Sequence, residues 1–186
     1  MVADKSRIKS LAYACAVIGY ASASSSWAGG AYDGTMGPTT ESFQGDFQIP
    51  HTNGSINGTN LFHSFSDFSI NSGEVATFTG PGSITNVISR VTGSNPSTFN
   101  GVLNALIDPA TGPTAANFIF MNPNGLIFKE GARINVGGSF YATTSNFVRL
   151  GQDGIYYADL GMQSVLTSSP PSSFGFLDNN PGHITL

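Results

Sequence analysis

Residues 116–144 read ANFIFMNPNGLIFKEGARINVGGSFYATT. Phe118, Ile119, Phe120 and Met121 are consecutively apolar, which suits a strand buried on both faces. Asn122, Pro123, Asn124 and Gly125 then turn the chain. Pro123 presets φ at about −65°, and Asn124-Gly125 tolerates left-handed φ. Leu126, Ile127 and Phe128 form a second short strand, and Lys129-Glu130-Gly131 a solvated turn. Ala132, Ile134 and Val136 alternate with Arg133 and Asn135, as in a half-exposed strand. Gly137-Gly138 breaks that run, and 140–144 reads as a further strand. The stretch is short strands joined by tight polar corners.

The same pattern extends in both directions. Upstream, Phe43, Phe47 and Ile49 precede an expected loop at 50–60 that carries Asn53-Gly54 and Asn57-Gly58, both turn signals. Strands are expected over 61–70, 75–79, 84–91 and 102–107, with loops at 92–101 and 108–114. Downstream, 147–150 and 155–160 read as strands. No long segment repeats at the helical period. Short strands at a spacing of ~8 residues indicate an all-β sandwich, barrel or β-helix. A sandwich prefers longer alternating strands. A parallel β-helix suits short strands with Gly and Asn corners, where an Asn amide can bond its own backbone or the Asn of the next rung. The absence of a strict period leaves sandwich and β-helix both open on pattern alone.

Composition narrows the function. The chain has 186 residues, 7 basic and 11 acidic, a net charge of −4, and only 10% charged residues, against ~25% in ordinary domains. Too few basic residues are present for a nucleic-acid face. Heptads are missing, the 40% hydrophobic content argues against disorder, and one cysteine cannot make a disulfide scaffold. Lys5, Arg7 and Lys9 precede a short apolar run, LAYACAVIGY at 11–20, then small residues with Ser26 and Ala28 placed for a cut after Ala28. This order is that of a secretory signal peptide over 1–28. The apolar run is about half the ~20 residues that a membrane-spanning helix needs. Cleavage would leave 29–186 with no cysteine, four basic and ten acidic residues, and a net charge of −6.

The motifs resemble those of the N-terminal domain of two-partner-secretion exoproteins, the filamentous-haemagglutinin-like family. Asn122, Pro123, Asn124 and Gly125 match its NPNG element. Asn135, Val136, Gly137, Gly138, Ser139 and Phe140 match its NVGGSF block. Asn60, Leu61, Phe62 and His63 open a block similar to NLFHSF, and Arg90, Val91 and Thr92 lie in one similar to ISRVTG. FGFL at 174–177 is a further match, and the blocks run in unbroken order over roughly 35–186. One departure concerns the family's earlier NPNL element. Its nearest equivalent, Ser94-Asn95-Pro96-Ser97, lacks the second Asn and the Leu.

The resemblance implies a right-handed parallel β-helix with an N-terminal cap and small extra hairpins. It implies a secretion signal in folded form, bound by an outer-membrane barrel transporter that carries POTRA domains. It also implies no cofactor, no metal, no catalytic residues, no nucleic acid, and a protein that is secreted or surface-exposed via the periplasm rather than integral to a membrane. Family members run on into a long shaft. This chain stops at Leu186 as one more strand begins, so a domain at 29–186 truncated at its C-terminus is expected. A POTRA sheet edge would take an unfolded strand by β-augmentation, and folding outside would oppose back-sliding.

Residue-level expectations accompany this reading. Turn chemistry accounts for each NPNG residue, so a corner is its expected direct role. Arg90 is expected to pair with a carboxylate such as Asp67 or Glu74, and His63 to be a satisfied, half-buried histidine. The sparse carboxylates form no catalytic pair, and no nucleophile elbow, P-loop or metal spacing occurs. The alternative function is a surface adhesin or glycan-binding β-helix module, since Tyr, Asn and Phe on a β surface can stack sugars. Tyr156-Tyr157 is read as packing.

Overall fold

The structure, a computed structural model, describes residues 29–108, 115–177 and 179–186. The expected signal peptide and its cut after Ala28 lie outside the described residues. The chain opens with β1 (Gly29–Tyr32), β2 (Ser42–Phe43), β3 (Phe47–Pro50), a 3-10 turn (His51–Asn53) and β4 (Ser55–Asn57). Next come β5 (Asn60–Ser69), β6 (Val75–Gly80), β7 (Asn86–Val91), β8 (Ser97–Phe99), β9 (Val102–Ile107) and β10 (Asn117–Met121). Then follow β11 (Leu126–Phe128), β12 (Arg133–Val136) and β13 (Phe140–Thr143). The described chain ends with β14 (Phe147–Leu150), β15 (Gly154–Tyr157), β16 (Pro171–Gly175) and β17 (Ile184–Thr185).

Strands separated by one circuit of the chain pair in parallel. β5, β7, β10 and β13 form one parallel run, and β1, β2 and β4 add to its first strand's side antiparallel. A second sheet is β3, β6, β9 and β12, and a third is β8, β11 and β17, both parallel throughout. From β7 onward the chain visits the first, third and second sheets in turn and returns to the first. Parallel pairing of this kind resolves the sequence ambiguity against a sandwich, whose sheets are antiparallel. The circuits are unequal: the matched residues Asn60, Asn86 and Asn117 are separated by 26 and then 31 positions. That inequality is why no strict period is visible in the sequence.

Alternation along the first sheet explains the residue choice. Leu61, Phe65, Val87, Val91, Phe118 and Phe120 point inward to the main core. Phe62, Ile88, Ile119 and Met121 point outward, where β14 and β15 cover them with Val148, Leu150 and Tyr156. The expectation of a doubly buried strand at 118–121 holds, since Phe118 to Met121 are each at most 2% exposed. The inner core is rich in phenylalanine. Phe78 and Phe118 have ring centroids 4.7 Å apart, Phe68 and Phe120 5.0 Å, and Phe99 and Phe128 4.9 Å. Each such side chain contributes roughly 1.5–3 kcal/mol through burial.

Two expected loops contain strands. β4 falls within 50–60, and β8 within 92–101. Ser97-Thr98-Phe99 has no local apolar pattern; it is a strand because its backbone pairs with β11 and Phe99 enters the core. The strand expected to end at 160 ends at Tyr157.

Candidate functional site

The NPNG corner joins β10 to β11. Asn122 is fully buried, Pro123 is half-buried and Asn124 is exposed. The Asn122 side-chain oxygen accepts from the Asn124 backbone N–H at 3.0 Å and from Asn124 Nδ2 at 3.1 Å. Gly125 N donates to the Asn122 carbonyl at 3.1 Å, closing the turn, and Gly125 has φ +126°. This turn chemistry is the one its sequence predicts.

The corner is also one layer of a stack. Asn122 Nδ2 donates to the Asn95 carbonyl and to Ser97 Oγ, both at 3.0 Å. Asn124 Nδ2 donates to the Gly93 carbonyl at 2.7 Å, and Ser97 N to the Gly125 carbonyl at 3.0 Å. On the other side, Gly182 N donates to the Pro123 carbonyl at 3.0 Å and Leu126 N to the His183 carbonyl at 2.9 Å. Asn95-Pro96, Asn122-Pro123 and Asn180-Pro181 therefore lead into three neighbouring strands of one sheet, β8, β11 and β17. The departure at 94–97 is the corner one rung earlier. The Asn180-Pro181-Gly182 corner escaped the sequence reading, although its repeated Asn-Pro was a usable signal.

Two motif blocks far apart in sequence meet here. Val91, Thr92 and Gly93 share a cleft of about 250 Å³ with Pro123, Asn124 and Asp159. Beside it, Arg90 is only 3% exposed. Its Nε donates to Ser64 Oγ at 2.7 Å, its Nη2 to Thr35 Oγ1 at 2.9 Å, and its Nη1 to the Tyr157 carbonyl. Its guanidinium lies 4.5 Å from the centre of the Tyr156 ring. The expected pairing with Asp67 or Glu74 is overturned. Asp67 accepts from Asn95 Nδ2, and Glu74 from the Asn71 and Gly45 backbone. The connected carboxylate is Asp33, reached through Ser64, which donates to it, and Thr92 Oγ1 donates to it at 2.9 Å. Burial favours the neutral Asp33 carboxyl, but the hydrogen bonds from Ser64, Thr35 and Thr92 outweigh it and hold the pKa below the ordinary carboxylate value.

The NLFHSF block is β5, in register with β7 from Asn60↔Asn86 to Phe65↔Val91. Asn60 starts an amide ladder: Asn86 Nδ2 donates to Asn60 Oδ1 at 2.9 Å, and Asn117 Nδ2 to Asn86 Oδ1 at 3.1 Å. Leu61 points inward and Phe62 outward. His63 departs from expectation, being fully buried, with neither ring nitrogen hydrogen-bonded among the described residues. It packs instead against Phe65 and Phe78. Burial pushes its pKa down to about 3; the nearby Asn53 backbone opposes this and His51 adds to it.

The NVGGSF block forms the next bend, between β12 and β13. Asn135 Nδ2 donates to Asn104 Oδ1 at 3.1 Å, and Val136 packs on the main core. Gly137 is exposed. Gly138 is glycine because an added Cβ would lie 2.7 Å from the Ala115 and Ala116 carbonyl oxygens. Ser139 N donates to Asn117 Oδ1 at 3.0 Å, continuing the ladder, and Phe140 stacks on Phe118 at 6.0 Å. These residues support the coil and do not enter the NPNG cleft.

One family model, that of the TPS secretion domain, matches residues 29–186. No curated protein and no solved structure matches the chain.

Proposed function

This chain belongs to the TPS secretion domain family, the N-terminal domain of two-partner-secretion exoproteins, and on that premise we propose how its transporter partner uses it. The family is one of secretion domains and not of enzymes, and it implies an exoprotein with an outer-membrane transporter as its partner. No helix among the described residues is long and apolar enough to cross a membrane. In our reading a signal peptide over 1–28 is removed after Ala28, and POTRA domains of the transporter bind the periplasmic chain by adding one of its short strands to a sheet edge. The domain then folds outside the cell as a right-handed parallel β-helix, the usual hand for parallel crossovers, and its folding opposes back-sliding. The observation that carries this reading is the family match over 29–186, and the meeting of the 91–93 and 123–124 segments in one cleft supports it.

Asn122, Pro123, Asn124 and Gly125 serve export by setting the corner on which the neighbouring rungs stack. A pulldown of the unfolded chain with isolated POTRA domains tests the reading. Retention that Ile119→Pro abolishes is expected; equal capture of wild type and variant would refute strand addition.

A surface adhesin role is the second reading. The exposed Tyr141 and Phe174 rings, 6.1 Å apart, line a cleft of about 280 Å³ together with Asn117, Ser172 and Ser173. No charged residue among the described ones lines it, which fits a neutral sugar stacked on aromatic faces. Saturation-transfer NMR against neutral oligosaccharides checks this, with loss of signal expected in Tyr141→Ala.

A further inference from the structure

The antiparallel β14, β15 and β16 stand outside the coil. Yet they are tied most closely to its earliest rungs. Tyr156 OH donates to the His63 carbonyl at 2.8 Å across 93 positions of sequence. Asn60 Nδ2 donates to the Thr167 carbonyl at 3.0 Å and the Ser169 carbonyl at 2.8 Å, 107 and 109 positions away. Asn57 Nδ2 donates to the Leu166 carbonyl at 3.0 Å. Phe62, Ile88 and Ile119 share one register across three successive strands. All three are at most 2% exposed, and the hairpin's Val148, Leu150 and Tyr156 complete the cluster that buries them. This outer cluster is distinct from the inner one that holds the coil together.

We propose that residues 146–177 are a latch that closes over the outside of the first rungs after the coil has formed, and that opens without unfolding it. The inner core draws its side chains from the β1 to β13 region and none from the hairpin. Among the described residues, the Phe62, Ile88 and Ile119 stripe is covered chiefly by the hairpin, with Met36 packed at the cluster from outside it. A chain that emerges from its N-terminal end therefore keeps an apolar stripe and an uncapped Asn60 amide until Ser169 is available. Latch closure makes a later-made segment of the chain the lock on an earlier-made one. The inference does not depend on the transporter reading, because it concerns the order in which two cores form.

Residues 29–186 contain no cysteine, so single reporters are unambiguous in the full chain carrying Cys15→Ser. Ile88→Cys reports the outer cluster and Val87→Cys, one residue away, the inner one. In native protein the Ile88→Cys thiol should label at least ~10-fold faster than Val87→Cys, as a sub-global opening requires. During refolding, Val87→Cys should become protected first. Val148→Asp should raise Ile88→Cys labelling by a further ~10-fold and leave Val87→Cys within about twofold. Asn57→Ala, which removes the bond from the Asn57 amide to the Leu166 carbonyl, should act in the same direction more weakly. Equal labelling and simultaneous protection of both thiols in the unmodified latch would overturn the proposal. So would parallel acceleration of both thiols by Asn57→Ala.

Discussion

Arg90 is nearly buried, and its guanidinium is satisfied by hydroxyls, a carbonyl and the Tyr156 ring rather than by a direct carboxylate. Removing it would take a donor from Ser64 and from the Tyr157 carbonyl and leave Asp33 without its compensating charge. Arg90→Ala should lower the unfolding free energy by about 3 kcal/mol, measured by denaturant titration. Arg90→Lys should recover only part of that, since an ammonium cannot supply the three-way fork. His63 predicts a pH effect. Its folded pKa is depressed to about 3, so the unfolded state binds the extra proton below about pH 6.5. Stability from this group is complete above that value and falls by ~1.4 kcal/mol per pH unit as pH drops toward 3. Asp33, also depressed, adds a loss of the same sign further down. Unfolding curves of His63→Phe should lack the first part of that dependence and keep the second. Neither partner set was legible in the sequence. Arg90's partners come from Ser64, Thr35 and Tyr157, and no spacing rule connects those positions.

Among the elements, the NPNG corner separates a structural from a directly read role. Asn122 is buried and bonded to the preceding corner. Asn122→Ala should therefore cost ~1–3 kcal/mol by orphaning its partners, and secretion should fall with stability. Asn124 is exposed, and Asn124→Ala should lower stability by less than ~1 kcal/mol and leave secretion within about twofold of wild type. A stable Asn124→Ala chain that is not exported would show that the transporter reads this side chain. The corner was legible from residues 122–125 alone, because turn chemistry is local. So was the doubly buried β10, from its unbroken apolar run. β4 and β8 were not legible, because polar three-residue strands exist only through partners elsewhere in the chain. The Gly138 close approach was likewise hidden, since its cause is the Ala116 backbone on the neighbouring rung.

For the whole molecule, local pattern gave all-β with short strands, and the motif resemblance, not the periodicity, pointed to parallel coiling. Unequal circuits and the outer hairpin masked any repeat. Low charge fits the architecture: residues matched on successive rungs include the Asn60, Asn86 and Asn117 ladder and the Phe118–Phe140 and Phe99–Phe128 pairs, whereas like charges in register would repel. The same stacking suits folding during transport, because each completed rung offers an unpaired edge to the next. The central claim, that this domain commits its chain to a dedicated outer-membrane partner, is tested most directly by secretion of the full chain from cells with and without that transporter. The account predicts chain in the medium only when the transporter is present, and periplasmic accumulation when it is absent. Equal amounts in the medium under both conditions would contradict it.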